Sequence, residues 1–167
     1  MHWSILHCCA NGRTRLYPTW SATVRRIAWS GDSRLDSLAR ALTIAAVLVV
    51  DDDRIVADMY RLALTRAGHD VSVANDGLAG LRMVSTARPD FIFLDIRMPK
   101  MDGIEVLRTL AAGDGTRNIP VVMLSNYDEP GLVRECLNLG AREYLVKAGT
   151  NPADLGRIVA HWVRATE

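Results

Sequence analysis

The sequence predicts an α/β domain, a doubly wound parallel sheet of five strands with five helices, preceded by an irregular N-terminal extension. Three observations carry that prediction. From residue 46 onward, short apolar runs alternate with helix-patterned stretches five times, and the connections between them are short. Runs such as FIFL (91–94) are apolar at every position, as strands covered on both faces must be.

The elements follow in order. AVLVV (46–50) reads as the first strand, and a helix is expected from about Arg54 to Ala67, with Ile55, Val56, Met59, Leu62 and Ala63 on its apolar face and Gly68 as its stop. DVSVA (70–74) is the second strand, followed by a helix from about Gly77 to Ala87 that ends before Pro89. FIFL runs into Asp95, and a loop from Arg97 to Gly103 leads to a helix from Ile104 to about Ala111. GDGTRN (113–118) is a turn ahead of the fourth strand, PVVML (120–124). A helix from about Glu129 to Leu139 stops at Gly140, and REYLV (142–146) is the fifth strand. The last helix starts at Asn151-Pro152 and carries Leu155, Ile158, Val159, Trp162 and Val163 on one face.

Charge divides the chain where the pattern begins. The whole carries +1, but residues 1–45 hold six arginines against two aspartates, and the remainder is acidic by three. A near-neutral total argues against a strongly basic nucleic-acid binder, so no direct DNA contact is expected. Three cysteines (Cys8, Cys9, Cys136) have neither the number of a disulfide framework nor the spacing of a zinc site. The longest apolar run, Ile44 to Val50, is far below the roughly 18–20 residues of a membrane-spanning helix. With no good secretory signal, a cytoplasmic protein with reduced thiols is expected. Residues 1–43 are expected to be a poorly ordered extension or an overlong translation start, with an Arg-rich tether or a targeting segment as the functional alternatives and periodicity that allows a short helix over 33–41; residues 44–167 form the domain.

Parallel sheets present functional groups at the carboxyl ends of their strands. Here the first strand ends in Asp51-Asp52-Asp53, the third in Asp95, the fourth in Ser125-Asn126 and the fifth in Lys147. Asp runs after strands often only cap helices, but three carboxylates sharing an edge with a hydroxyl and an ammonium ask for more. Hard oxygen donors suit Mg²⁺, which keeps waters and accepts phosphate oxygens. A cation and a lysine around one carboxylate fit phosphoryl transfer to that carboxylate.

VLVVDDD, FIFLDIRMPKMDG, VVMLSN and GAREYLVK resemble the receiver domain of two-component response regulators, and so do the separations of 43, 30 and 22 residues between Asp52, Asp95, Ser125 and Lys147. The resemblance covers about residues 46–164. It implies a flavodoxin-like sheet of order 2-1-3-4-5 and a signalling phosphoacceptor, with at most self-phosphorylation and autodephosphorylation activity. Asp95 would accept the phosphoryl group from a sensor histidine kinase or phosphotransfer protein. Mg²⁺ would be held by Asp52, by Asp51 through water, by Asp95 and by the backbone carbonyl of Arg97. Lys147 and Ser125 would bond the phosphoryl group, and Tyr144 would turn inward as the switch. The last two helices and fifth strand would meet the downstream target. Asp53 matches no required position and reads as a helix cap.

Twenty residues follow Lys147, so a stand-alone receiver acting through partner binding or phosphorelay is expected. The family usually has proline after this lysine, whereas Ala148 stands here; the bond between them is trans, or cis at a cost of roughly 2.5–4 kcal/mol. Arg97 and Tyr127, each two residues beyond a site residue, are large; positions of this kind in the family flank the path of hydrolytic water, so the resemblance implies slow self-dephosphorylation. Other classes fit less. A haloacid-dehalogenase-type phosphatase would use Asp51-x-Asp53 but leave Asp95, Ser125 and Lys147 unexplained. A flavodoxin-like electron carrier would face repulsion between three acids and its flavin phosphate. A pseudo-receiver that only docks partners would follow if Ala148 disabled Lys147.

Overall fold

In the computed structural model of the chain, which describes residues 44–164, five strands form one parallel sheet of order β2-β1-β3-β4-β5. The strands are β1 (Ala46–Val50), β2 (Asp70–Ala74), β3 (Phe91–Leu94), β4 (Val121–Ser125) and β5 (Glu143–Val146). The helices are α1 (Arg54–Arg66), α2 (Gly77–Ala87), α3 (Gly103–Ala112), α4 (Pro130–Asn138) and α5 (Leu155–Arg164). The first three strands occupy the residues the apolar runs marked. The extension over 1–43 and its expected helix lie outside the described residues.

Strand alternation builds the two core layers. Leu48, Val50, Ile92, Leu94, Val121 and Met123 face one side, where Val84 of α2, Val106, Leu107 and Leu110 of α3, and Cys136 of α4 cover them. Val47, Val49, Phe91, Phe93, Val122 and Leu124 face the other, against Ala57, Tyr60 and Leu64 of α1 and Leu155 and Val159 of α5. All four β3 residues are fully buried, each Phe, Ile or Leu contributing about 1.5–3 kcal/mol by leaving water. The central strand is therefore the rigid base from which Asp95 projects.

Helix ends are set by local chemistry. Asp53 caps α1, accepting from the Ile55 and Val56 amides, as its sequence position suggested. Gly68 (φ +94°) and Gly140 (φ +100°) end α1 and α4 in the left-handed region. In both turns the amide of the next residue reaches back five positions, His69 to the Leu64 carbonyl and Ala141 to that of Cys136. Arg88 (φ +48°) closes α2 just ahead of Pro89. A 3-10 turn over Pro152–Asp154, capped by Asn151, leads into α5.

One sequence expectation is corrected. The face of α1 turned to the core is Ala57, Tyr60 and Leu64, with Val56 packed beside them. Ile55 is 83% exposed, and Met59 and Leu62 are also exposed. Two stripes run along this helix at similar spacing, and the core selected the one bearing the tyrosine.

Candidate functional site

β1, β3, β4 and β5 lie side by side in the sheet, so the residues that end them meet on one edge. The Asp51 amide bonds the Ala74 carbonyl and the Asp95 amide bonds that of Val50, which continues the ladders past the strand ends. Ser125 ends β4 opposite Val146, and Lys147 follows directly. The edge lies at the β1/β3 switch, where successive crossovers leave on opposite faces of the sheet and open a crevice.

The side chains converge there. Lys147 Nζ lies 2.7 Å from Asp51 Oδ2 and 3.0 Å from Asp95 Oδ2, and all three side chains are almost fully buried. Burial raises the carboxyls of Asp51 and Asp95 above the usual carboxylate range, against the pull of Lys147. Burial also opposes the Lys147 charge, but the hydrogen bond to Asp51 and the charges of Asp95 and Asp51 outweigh it and push that ammonium up. The second oxygens are held by backbone, Asp95 Oδ1 accepting from the Ile96 amide at 2.8 Å and Asp51 Oδ1 from the Asp53 amide at 3.1 Å. All described peptide bonds are trans, the Lys147–Ala148 bond among them. With that bond trans the Lys147 ammonium still contacts both acids, so the Ala148 departure leaves it in place.

A divalent cation fits this donor set. One carboxylate oxygen from each of Asp51, Asp52 and Asp95 lies within 4.8 Å of the others, with Asp52 exposed and the other two buried. Hard oxygens, an open solvent side and two carboxyls raised by burial make a site that gains from positive charge. Arg97 lies two residues past Asp95 in an irregular loop, its guanidinium 5.1 Å from the centre of the Tyr127 ring.

Ser125 is fully buried, and its hydroxyl accepts from the Tyr127 amide at 3.3 Å. Tyr144 on β5 donates its hydroxyl to the Tyr127 carbonyl at 2.5 Å, and burial pushes the phenol up. Thus the serine and the tyrosine meet at one residue of the β4–α4 loop.

Two contributions escaped the sequence reading. Tyr60, fully buried on α1, lies within the fields of Lys147, Asp51 and Asp95. Asp76 caps α2 through the Ala79 amide and takes a hydrogen bond from Lys100. The Asp-Gly pair just past β2 and the rarity of lysine, two among twenty basic residues, were the available signals.

A five-stranded parallel sheet in this order defines the flavodoxin-like class of α/β domains, and here its β1/β3 switch carries acids. Within that class, the family model described as the response regulator receiver domain matches residues 47–160, and the chain belongs to that family. It is 40% identical over 115 residues to the response regulator MprA of Mycobacterium leprae, covering 68% of this chain and 49% of that one. The chain therefore spans about half the length of the curated relatives it matches. The receiver domain of Francisella response regulator 1452 superposes with a TM-score of 0.68 at 32% identity, covering 74% of this chain and 99% of that one. Chemotaxis response regulator CheY4 of Vibrio cholerae gives 0.66 at 32% identity, with 72% and 99% covered. The Mn²⁺-bound form of response regulator Rcp1 gives 0.60 at 27% identity, with 70% and 90% covered. No helix among the described residues is long and apolar enough to cross a membrane.

Proposed function

We propose that Asp95 accepts a phosphoryl group from a histidine kinase or phosphotransfer protein in a Mg²⁺-dependent step, and that the phosphorylated domain then binds a protein partner. The observation that carries this reading is the pairing of one lysine with two buried carboxylates at the ends of adjacent strands. A carboxylate oxygen of Asp95 attacks phosphorus, an acyl-phosphate O–P bond forms, and the P–N bond to the donor histidine breaks with the electron pair returning to the imidazole. Asp51, Asp52, Asp95 and the Arg97 carbonyl would hold the cation, which supplies neutralising charge for the phosphoryl oxygens. Asp95 is held by the Ile96 amide on one oxygen and by Lys147 on the other, so its carboxylate is already oriented at the edge and little reorganisation is needed.

Lys147 supplies the second positive group, and Ser125 offers its hydroxyl to the phosphoryl group. Moving Ser125 disturbs the loop that holds Tyr144 through the Tyr127 carbonyl, so phosphorylation biases the position of Tyr144 and the surface of α4, β5 and α5. Arg97 and Tyr127, stacked together, support slow loss of the phosphoryl group. Intact mass after incubation with acetyl phosphate and Mg²⁺ tests the proposal. A single phosphoryl adduct is expected on the wild type and none on Asp95→Asn; an adduct that survives that substitution overturns the assignment.

A further inference from the structure

The chain has eighteen arginines and two lysines, and both lysines end on aspartates of the same region. Lys147 serves the acidic edge. Lys100 lies in the β3–α3 loop with φ +71°, a conformation non-glycine residues keep only when their surroundings impose it. Its ammonium donates to Asp76 Oδ2 at 2.5 Å, while Asp76 Oδ1 accepts from the Ala79 amide at 2.7 Å. Asp76 therefore uses one oxygen to start α2 and the other to hold the loop.

The next residue along each segment repeats the contact. A Cβ on Gly77 would sit 2.5 Å from the Met101 carbonyl oxygen, so the α2 terminus and the loop touch at backbone distance. The far end of the loop is pinned equally closely. A Cβ on Gly103 would sit 2.0 Å from the Asp95 carbonyl oxygen, and the Gly103 amide bonds the Ile96 carbonyl at 2.8 Å. Ile96 and Met98 are buried in the core, so Arg97 is held from both sides while its own side chain is exposed.

We infer that Asp76 and Lys100 form a positioning pair that fixes the loop bearing the Arg97 carbonyl and thereby sets the affinity of the acidic edge for its divalent cation. The inference rests on the proposed role of that edge. The pair touches neither the cation nor the phosphoryl group; it acts through the backbone it holds. Partners one shell out from a metal typically change affinity by about 10–100-fold, and a pair acting on one ligand of several should stand at or below the low end of that range.

The test is titration of the full chain with Mg²⁺ alone, read by calorimetry, beside melting in EDTA. Lys100→Met and Asp76→Asn should each weaken Mg²⁺ binding by roughly three- to tenfold. Asp76→Asn keeps the cap acceptor, so its α2 and its melting in EDTA should stay near wild type even if Lys100→Met is less stable. Lys100→Arg, which keeps a donor for Asp76, should return the affinity to within about twofold of wild type. Mg²⁺ affinities of Lys100→Met and Asp76→Asn equal to wild type overturn the positioning pair while leaving the proposed function intact. So does a loss that Lys100→Arg fails to recover. A wild type that binds no Mg²⁺ overturns both.

Discussion

Lys147 and Lys100 meet aspartates in opposite surroundings. The Lys147 side chain is 8% exposed and faces two buried carboxylates, whereas Lys100 is 62% exposed and reaches one. Asp51 and Asp95 stay raised by burial even with their lysine present, while the hydrogen bond from Lys100 and the Ala79 amide hold Asp76 below the usual carboxylate range. The first arrangement is electrostatically unfinished and gains from more positive charge. The second is balanced, one ammonium against one carboxylate, where Lys147 faces two. The proposed function is placed where the charges remain unbalanced, and the inferred positioning pair where they are satisfied.

The largest expected effect comes from removing the buried lysine. Lys147→Met leaves two inward carboxylates without their cation and should lower stability in EDTA at pH 7 by about 3 kcal/mol, read by urea unfolding. Adding Mg²⁺ should recover part of that loss, since a ligand bound only by the folded state stabilises it. Phosphoryl uptake from acetyl phosphate should fall below detection. Unchanged stability would mean that the acids are neutralised by protonation and that the lysine does not balance the edge.

Asp76 should come next. Asp76→Ala removes the α2 cap and the Lys100 acceptor together and should lower Tm by a few degrees, whereas Asp76→Asn should lower it less. Equal losses would show that charge, and not the cap, gives this residue its weight.

The comparison also shows what the sequence made legible. Strand ends were readable because four of the five strand runs stop at Asp, Ser or Lys, and the parallel topology brings those stops to one edge. Asp51, Asp52, Asp95, Ser125 and Lys147 could therefore be gathered from spacing and resemblance. The Asp76–Lys100 pair spans 24 residues and depends on a left-handed loop residue, which no local pattern announces. The α1 face was misread for a related reason. Ile55, Met59 and Leu62 look more apolar than Ala57, Tyr60 and Leu64, and only packing against β1 and α5 shows that the tyrosine belongs inside.

Acidity separates the two ends of the sheet further. His69 is buried at the amino edge, where its Nδ1 accepts from the Ala45 amide and it bonds the Gly156 backbone; burial lowers its pKa below 6.5. A base with a lowered folded pKa binds protons better when unfolded, so stability should be lost as pH falls through 6.5 toward the lowered value. Asp51 and Asp95 have the opposite sign: raised above 3.8, they cost stability as pH rises through the raised values. In EDTA, His69→Gln should remove the loss near pH 6 and leave the gain at lower pH. A wild-type profile flat from pH 7 to 5 would break this assignment.

Salt gives the smallest effect and the sharpest division between the lysines. Lys100 is mostly in water, so its attraction for Asp76 is screened by ions, while the Lys147 contacts lie beneath the edge and are reached by few. The Debye length falls from about 10 Å at 0.1 M to about 3 Å at 1 M, close to the length of the contact itself. The Tm difference between wild type and Lys100→Met should therefore be small at low salt and shrink toward zero in about 1 M NaCl. The difference between wild type and Lys147→Met should keep most of its size across the same range. Should both differences vanish together, water and ions reach the acidic edge as freely as they reach the loop, and the exposure that separates the two lysines has no energetic meaning.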